Sequence, residues 1–174
     1  MRKMIRGALV LCVMLSASVL MVKAEKPTVK FREFSSFEVQ DFKNDTAGTK
    51  QPMPDAWIPT LREDVAQRVI ELHKFRHVAD FEDQKAPTPA KERVLVLRGT
   101  IIRFTRGNQA VRFAVGFGAG KGKIVATCQF IDKESGQVVW ERQVDGQVYR
   151  TGESTEGAIQ GVSKEVKKVI NQNW

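Results

Sequence analysis

From residue 93 to residue 150 the chain has no proline and passes through run after run of alternating or wholly apolar residues. A stretch of this kind pays its backbone hydrogen bonds into strands, so any fold for this chain must be built round a sheet. Residues 93–105 carry Val94, Leu95, Val96, Leu97, Ile101 and Ile102, apolar on both faces, which predicts a central strand. Arg106-Gly107-Asn108 reads as a turn, with residues 109–115 as the partner strand. Residues 123–132 form the next strand and end in Lys133-Glu134-Ser135-Gly136, a hairpin loop. Residues 137–150 then alternate through Val138, Trp140, Val144 and Val148 and are expected to pair back.

The rest of the chain is punctuated differently. All six prolines precede residue 90, and eleven of the thirteen glycines follow it. Neither half holds enough apolar residues for a core of its own, so residues 25–174 are expected to form one domain. Residues 28–42 alternate through Val29, Phe31, Phe37 and Val39 and read as a strand, and residues 43–57 read as a loop. Pro59 suits a first helical turn, and Leu61, Val65, Val69 and Leu72 lay one apolar stripe along a helix to about Arg76. Residues 77–81 suggest a short strand before a polar loop over 82–92. At the far end Thr151–Glu156 offers Ser/Thr caps, with Glu153 and Glu156 in the first helical turn. Ile159, Val162, Val166, Val169 and Ile170 form the stripe, with Lys164, Lys167 and Lys168 towards its negative end. The predicted order is β-α-β-β-β-β-β-α. It is an α+β fold, a mostly antiparallel sheet of five to six strands with two helices packed on one face.

The chain's 28 basic and 20 acidic residues leave a formal charge of +8, which invites a nucleic-acid reading. The excess is unevenly placed. Residues 1–24 contain Arg2, Lys3, Arg6 and Lys23 and no acid, and an uncharged stretch of 16 residues (7–22) ends in Val22-Lys23-Ala24. A basic start, an apolar middle and small residues at −3 and −1 predict a signal peptide cut after Ala24, with a retained anchor as the alternative. The stretch is short beside the roughly 20 residues of a membrane span. Cys12 follows Leu11 in mid-stretch, which is not where a lipidated cysteine belongs. Loss of four positive charges and no negative one takes +8 to +4, a mild balance. Only Cys128 then remains, on the apolar strand face of Ile124, Ala126 and Phe130, and it is expected to be a small core residue.

The densest local signal is Val115-Gly116-Phe117-Gly118-Ala119-Gly120-Lys121-Gly122-Lys123. It is not a phosphate loop, because Val115 stands where the first glycine belongs and Gly122 where Ser or Thr must follow the lysine. Nor does it give GxGxxG between a strand and a helix. Glycine at every second position strips one face of an extended segment, as bulges, bends and close backbone approaches require. The alternative is a surface of Arg112, Gly116, Gly118, Gly120, Lys121 and Lys123 that docks an anionic or polymeric partner. This run, with Leu97-Arg98-Gly99-Thr100-Ile101 and Arg112-Phe113-Ala114-Val115 before it, resembles the DUF4410 family. So do Ile131-Asp132 and Ser135-Gly136-Gln137-Val138-Val139-Trp140 after it, and the likeness runs over about residues 29–172. It implies a small exported α+β domain of the bacterial envelope, akin to modules in envelope lipoproteins such as the curli secretion protein. It implies no activity and no catalytic residue. The chain departs from the family's many lipoproteins in having no lipidation motif.

Other constellations are weaker. His73 and His77 share a helical spacing but have no third ligand in view, so no metal site is expected. Asp80, Glu82 and Asp83 fall on a polar loop, unlike the apolar setting of catalytic carboxylates. Arg98, Arg103, Arg106 and Arg112 cluster on one hairpin, yet without interleaved aromatics they do not suggest nucleic-acid binding. Trp57 and Trp174 read as packing residues near helix ends. The resulting expectation is an exported, non-enzymatic envelope domain, without cofactor, that binds an envelope protein or an anionic polymer. Membrane contact is expected only through an uncleaved signal segment. The alternatives are a structural subunit forming a homo-oligomer through sheet edges and, behind it, an envelope hydrolase.

Overall fold

A computed structural model describes residues 29–79, 92–107, 122–147 and 156–174. Eight elements follow in order: strands β1 (Ser36–Val39) and β2 (Lys43–Asn44), helix α1 (Trp57–Ile70), strands β3 (His77–Ala79), β4 (Val94–Thr105), β5 (Lys123–Asp132) and β6 (Val138–Gln147), and helix α2 (Glu156–Gln172). The strands make one six-stranded sheet in the order β3-β1-β4-β5-β6, with β2 also paired to β4. The fold is α+β, as the patterning predicts.

β4 is central. Its Leu95, Leu97 and Ile101 are fully buried on the helix side of the sheet. Val94 and Val96 turn the other way and form a small second cluster with Ile131. β5 and β6 extend the sheet as antiparallel neighbours, with Leu97 opposite Phe130 and Phe130 opposite Trp140. Ile102 is the residue skipped by the register shift between Ile101 and Arg103, and it is exposed instead of apolar core. Phe31, Phe37, Phe75, Phe130 and Trp140 interlock beneath the helices, with Phe31–Phe130 and Phe37–Phe75 ring centres each 4.9 Å apart.

The sheet is mixed where hairpins alone were expected. β1 runs parallel to both β3 and β4, with Ser36 opposite His77 on one side and Val94 on the other. The cause is α1, which carries the chain back to the starting end of β1, so that β3 must run alongside it in the same direction. The first strand is also shorter than its alternation suggested. Phe31–Glu33 is a 3-10 turn that puts Phe31 and Phe34 into the core, and only Ser36–Val39 pairs. Lys43–Asn44, read as loop, pairs with Thr100 and Ile101. α1 stops at Ile70, six residues before the expected end. His73 has φ 52°, a left-handed conformation that breaks the helix and lets Phe75 turn into the core. The strand expected at 109–115 lies outside the described residues.

Both helices lie on the Leu95–Leu97 side and share one core with it. They are joined by polar ties as well: Ser163 Oγ, fully buried, donates to Asp64, and Lys167 Nζ lies 2.9 Å from Glu71. Lys167 and Lys168 are committed to Glu71 and Glu165, and the last turn of α2 holds no basic residue.

Candidate functional site

Of the six residues singled out on the glycine run, only Lys123 lies among the described residues; Arg112, Gly116, Gly118, Gly120 and Lys121 fall outside them. Lys123 opens β5 opposite Thr105 on β4 and Gln147 on β6, at the end of the sheet where β4 finishes. Its ammonium is 2.8 Å from Asp145 and half-buried, which ties its charge to the neighbouring strand. The other oxygen of Asp145 is buried without a hydrogen-bond partner among the described residues.

The sheet face away from the helices runs between this end and the opposite one. Arg98, Gln129 and Glu141 stand in one cross-strand row, and Thr100, Thr127 and Gln143 in the next. Gln129 Nε2 donates to Glu141 at 2.6 Å and Arg98 Nε to Gln40 at 3.1 Å. Arg103 is exposed beside these rows, and Arg106 follows at the end of β4. Arg98 and Arg103 therefore share β4, with Arg106 just after it, and the hydrogen-bond partner of Arg98 is the amide of Gln40.

At the starting end of β1, β3 and β4 lies an ionic cluster that spacing along the chain could not reveal. Arg93 binds Asp132 at 2.8 Å and Glu33 at 3.2 Å, and its guanidinium stacks 4.6 Å from the centre of the Phe34 ring. Burial opposes ionisation of Asp132. The Arg93 hydrogen bond and the backbone N–H groups of Glu134 and Ser135 outweigh it and hold the carboxyl below its usual range. Hydrogen bonding to Asp132 in turn raises Arg93. Lys133 Nζ is 2.6 Å from the buried Glu38, and Ser36 Oγ donates to Glu92. The partners are 39 to 95 residues apart in sequence, so only strand pairing assembles them.

This chemistry is that of ion pairs. Ser36 has a carboxylate next to its hydroxyl, and His77 lies 3.8 Å away on the far side of that carboxylate. That order is not the serine–histidine–carboxylate order of acyl transfer. Cys128 is fully enclosed, and burial pushes its thiol up to about 12, so it is a core residue as its strand position predicted. His73 and His77 do not share a helix face: one sits on the turn after α1 and the other on β3. The acidic trio Asp80, Glu82 and Asp83 lies outside the described residues. Trp57 packs edge-on against Phe104 and Trp174 against Phe75, the packing roles expected of them.

Among solved structures, the chain resembles the PelC dodecamer from Paraburkholderia phytofirmans at 16% identity, with TM-score 0.55 over 83% of this chain and 95% of that one. A point variant of the same protein gives 18% identity and TM-score 0.50, over 78% of this chain and 86% of that one. The lipoprotein GNA1162 from Neisseria meningitidis aligns at 14% identity and TM-score 0.44, covering 79% and 96% of the two chains. At these identities the PelC likeness speaks for a shared fold. No curated protein matches the chain. The profile of the domain of unknown function DUF4410 matches residues 29–152, which include the mixed sheet, the ionic cluster and the glycine run, and the chain therefore belongs to the DUF4410 family.

Proposed function

We propose that this chain is a non-enzymatic domain of the bacterial cell envelope that works by binding another envelope component, a protein or an anionic polymer, through the 112–123 connection. The observation that supports this reading is the pair of strand ends that flank residues 112–123. β4 finishes and β5 begins side by side, with Thr105 opposite Lys123, beside a polar face with Arg98 and Arg103. The basic, apolar and small-residue pattern of residues 1–24 supports export, and no helix among the described residues is long and apolar enough to cross a membrane. The test replaces Gly118 and Gly120 with Val in the exported protein. Loss of the co-purifying envelope component, with thermal unfolding unchanged, is the expected result; retention of the same component sinks this interface.

A second reading is a structural subunit. It is supported by the fold shared with a protein that crystallises as a dodecamer and by β6, ten residues long and at the edge of the sheet among the described residues. Light scattering on the purified protein decides it: one chain mass at micromolar concentration excludes the subunit role.

A further inference from the structure

We infer that the sheet face turned away from the helices docks on the same face of a second copy of this chain. The inference rests on the subunit reading above and moves the contact from the β6 edge to the face. Charge on this face is sorted by strand. Arg98 and Arg103 stand on β4 and are exposed. Glu141 and Asp145 stand on β6 in the same two cross-strand rows, with Gln129 and Val125 of β5 between them. Arg98 Nε donates to Gln40 and Gln129 Nε2 donates to Glu141, so neutral amides orient both charges and cancel neither. Arg98, Arg103 and Glu141 form no ion pair among the described residues. The other charges near the face are paired within the chain: Lys123 with Asp145, Lys43 with Asp45, and Lys133 with Glu38. Arg106 and Glu134 lie beyond opposite ends of the paired strands.

This pattern is its own complement under a two-fold rotation about an axis along β5. The rotation lays β4 of one copy over β6 of the other and keeps every row at its height. Arg98 then meets the second copy's Glu141, and Arg103 meets its Asp145. Facing sheets stack about 10 Å apart, a gap that an arginine and a carboxylate side chain close between them. The neutral row Thr100, Thr127 and Gln143 lies between the two charged ones. Beyond Arg98, the rotation sets Val138, 47% exposed, over Val96, and Ile131 over Ile131, which covers the small apolar cluster of this face. A rotation across the strands instead stacks β4 on β4 and brings arginine to arginine. An anionic polymer on this face gains at β4 and is repelled at β6, so the sorting of sign selects a copy with the same pattern. Asp145 is shared with Lys123, which leaves the Arg98–Glu141 row as the one to test.

The test is sedimentation velocity of the exported protein over about 1 to 100 µM, where a concentration-dependent dimer is expected. Arg98→Glu alone and Glu141→Arg alone each set like charges together twice per dimer. Each should raise the dissociation constant at least about thirtyfold. Mixed in equal amounts, the two variants should dimerise with each other to within about threefold of the parent. One Arg98–Glu141 contact of that heterodimer is unchanged and the other has only its polarity reversed. Arg142→Glu, exposed on the helix side of β6 opposite Cys128, should leave the constant within about twofold. Near-UV circular dichroism checks the packing of each variant; should a reversal unfold the chain, Arg98→Gln and Glu141→Gln replace it, with losses of about fivefold. Two monomeric single variants whose mixture also stays monomeric overturn the face pairing. So does an oligomer that neither reversal weakens, and that result leaves pairing through the β6 edge standing. One chain mass at every concentration overturns the subunit reading and this inference with it.

Discussion

Asp132 ends β5 and receives more than any other carboxylate at that end: the Arg93 guanidinium and the backbone N–H of Glu134 and Ser135. Because its folded-state pKa is lowered, the carboxylate stabilises the fold at pH values above its unfolded pKa of about 3.9, and that contribution disappears as pH falls through the lower folded value. Asp132→Asn is therefore expected to lower the urea midpoint at pH 7. The gap between variant and parent should close progressively below about pH 4. A constant gap from pH 7 to pH 2 contradicts the assignment. The sequence already displayed Ile131-Asp132 and the Ser135-Gly136 turn as a motif. What it could not display was Arg93, 39 residues earlier, which only the pairing of β4 with β5 brings alongside.

At the scale of elements, the close seating of α2 on β6 depends on two glycines facing each other. A Cβ on Gly146 would come within 2.6 Å of Val162 N and closer still to Ala158 O. A Cβ on Gly161 would stand 2.7 Å from Gly146 Cα and from Gln147 N. These are backbone atoms, so the helix has to lift rather than a side chain swing away. Gly146→Ala is expected to cost roughly 2–3 kcal/mol, read as a lower midpoint in chemical denaturation. Gly48→Ala, with nothing within 4 Å of the added Cβ, should stay within about 0.5 kcal/mol of the parent. Comparable losses at both positions would show that close approach is not the cause. The stripes of α1 and α2 were visible as periodic apolar residues, because a helix face repeats locally. The end of α1 was not, since Leu72 continues the period and only the left-handed turn at His73 reveals that the helix has stopped.

For the whole molecule, the order β3-β1-β4-β5-β6 makes β1, β4 and β5 the interior of the sheet, with β4 and β5 its long central pair, and leaves β3 a three-residue edge. Amide hydrogen exchange should follow that order. Leu97, Gly99, Cys128 and Phe130 are expected to exchange at least about a hundredfold more slowly than Val78, read residue by residue by NMR. Equal protection of Val78 and Leu97 would mean that β3 belongs to the same cooperative unit as the sheet centre. The class of fold, the central place of residues 94–105, the burial of Cys128 and the hairpin at 133–136 were all determined by the sequence alone. Each follows from side-chain alternation, turn residues or apolar runs, which act over a few neighbours. Tertiary structure decided the parallel placing of β1 between β3 and β4, and with it the two ends of the sheet. One end carries the root of the glycine run; the other gathers Glu33, Glu38, Arg93, Asp132 and Lys133 beside the exposed Lys30, Arg32 and Arg76. Strand order is a choice among long-range pairings of similar local merit. It is settled by which arrangement buries both helix stripes and pairs the charges at once, and no short stretch of sequence carries that information.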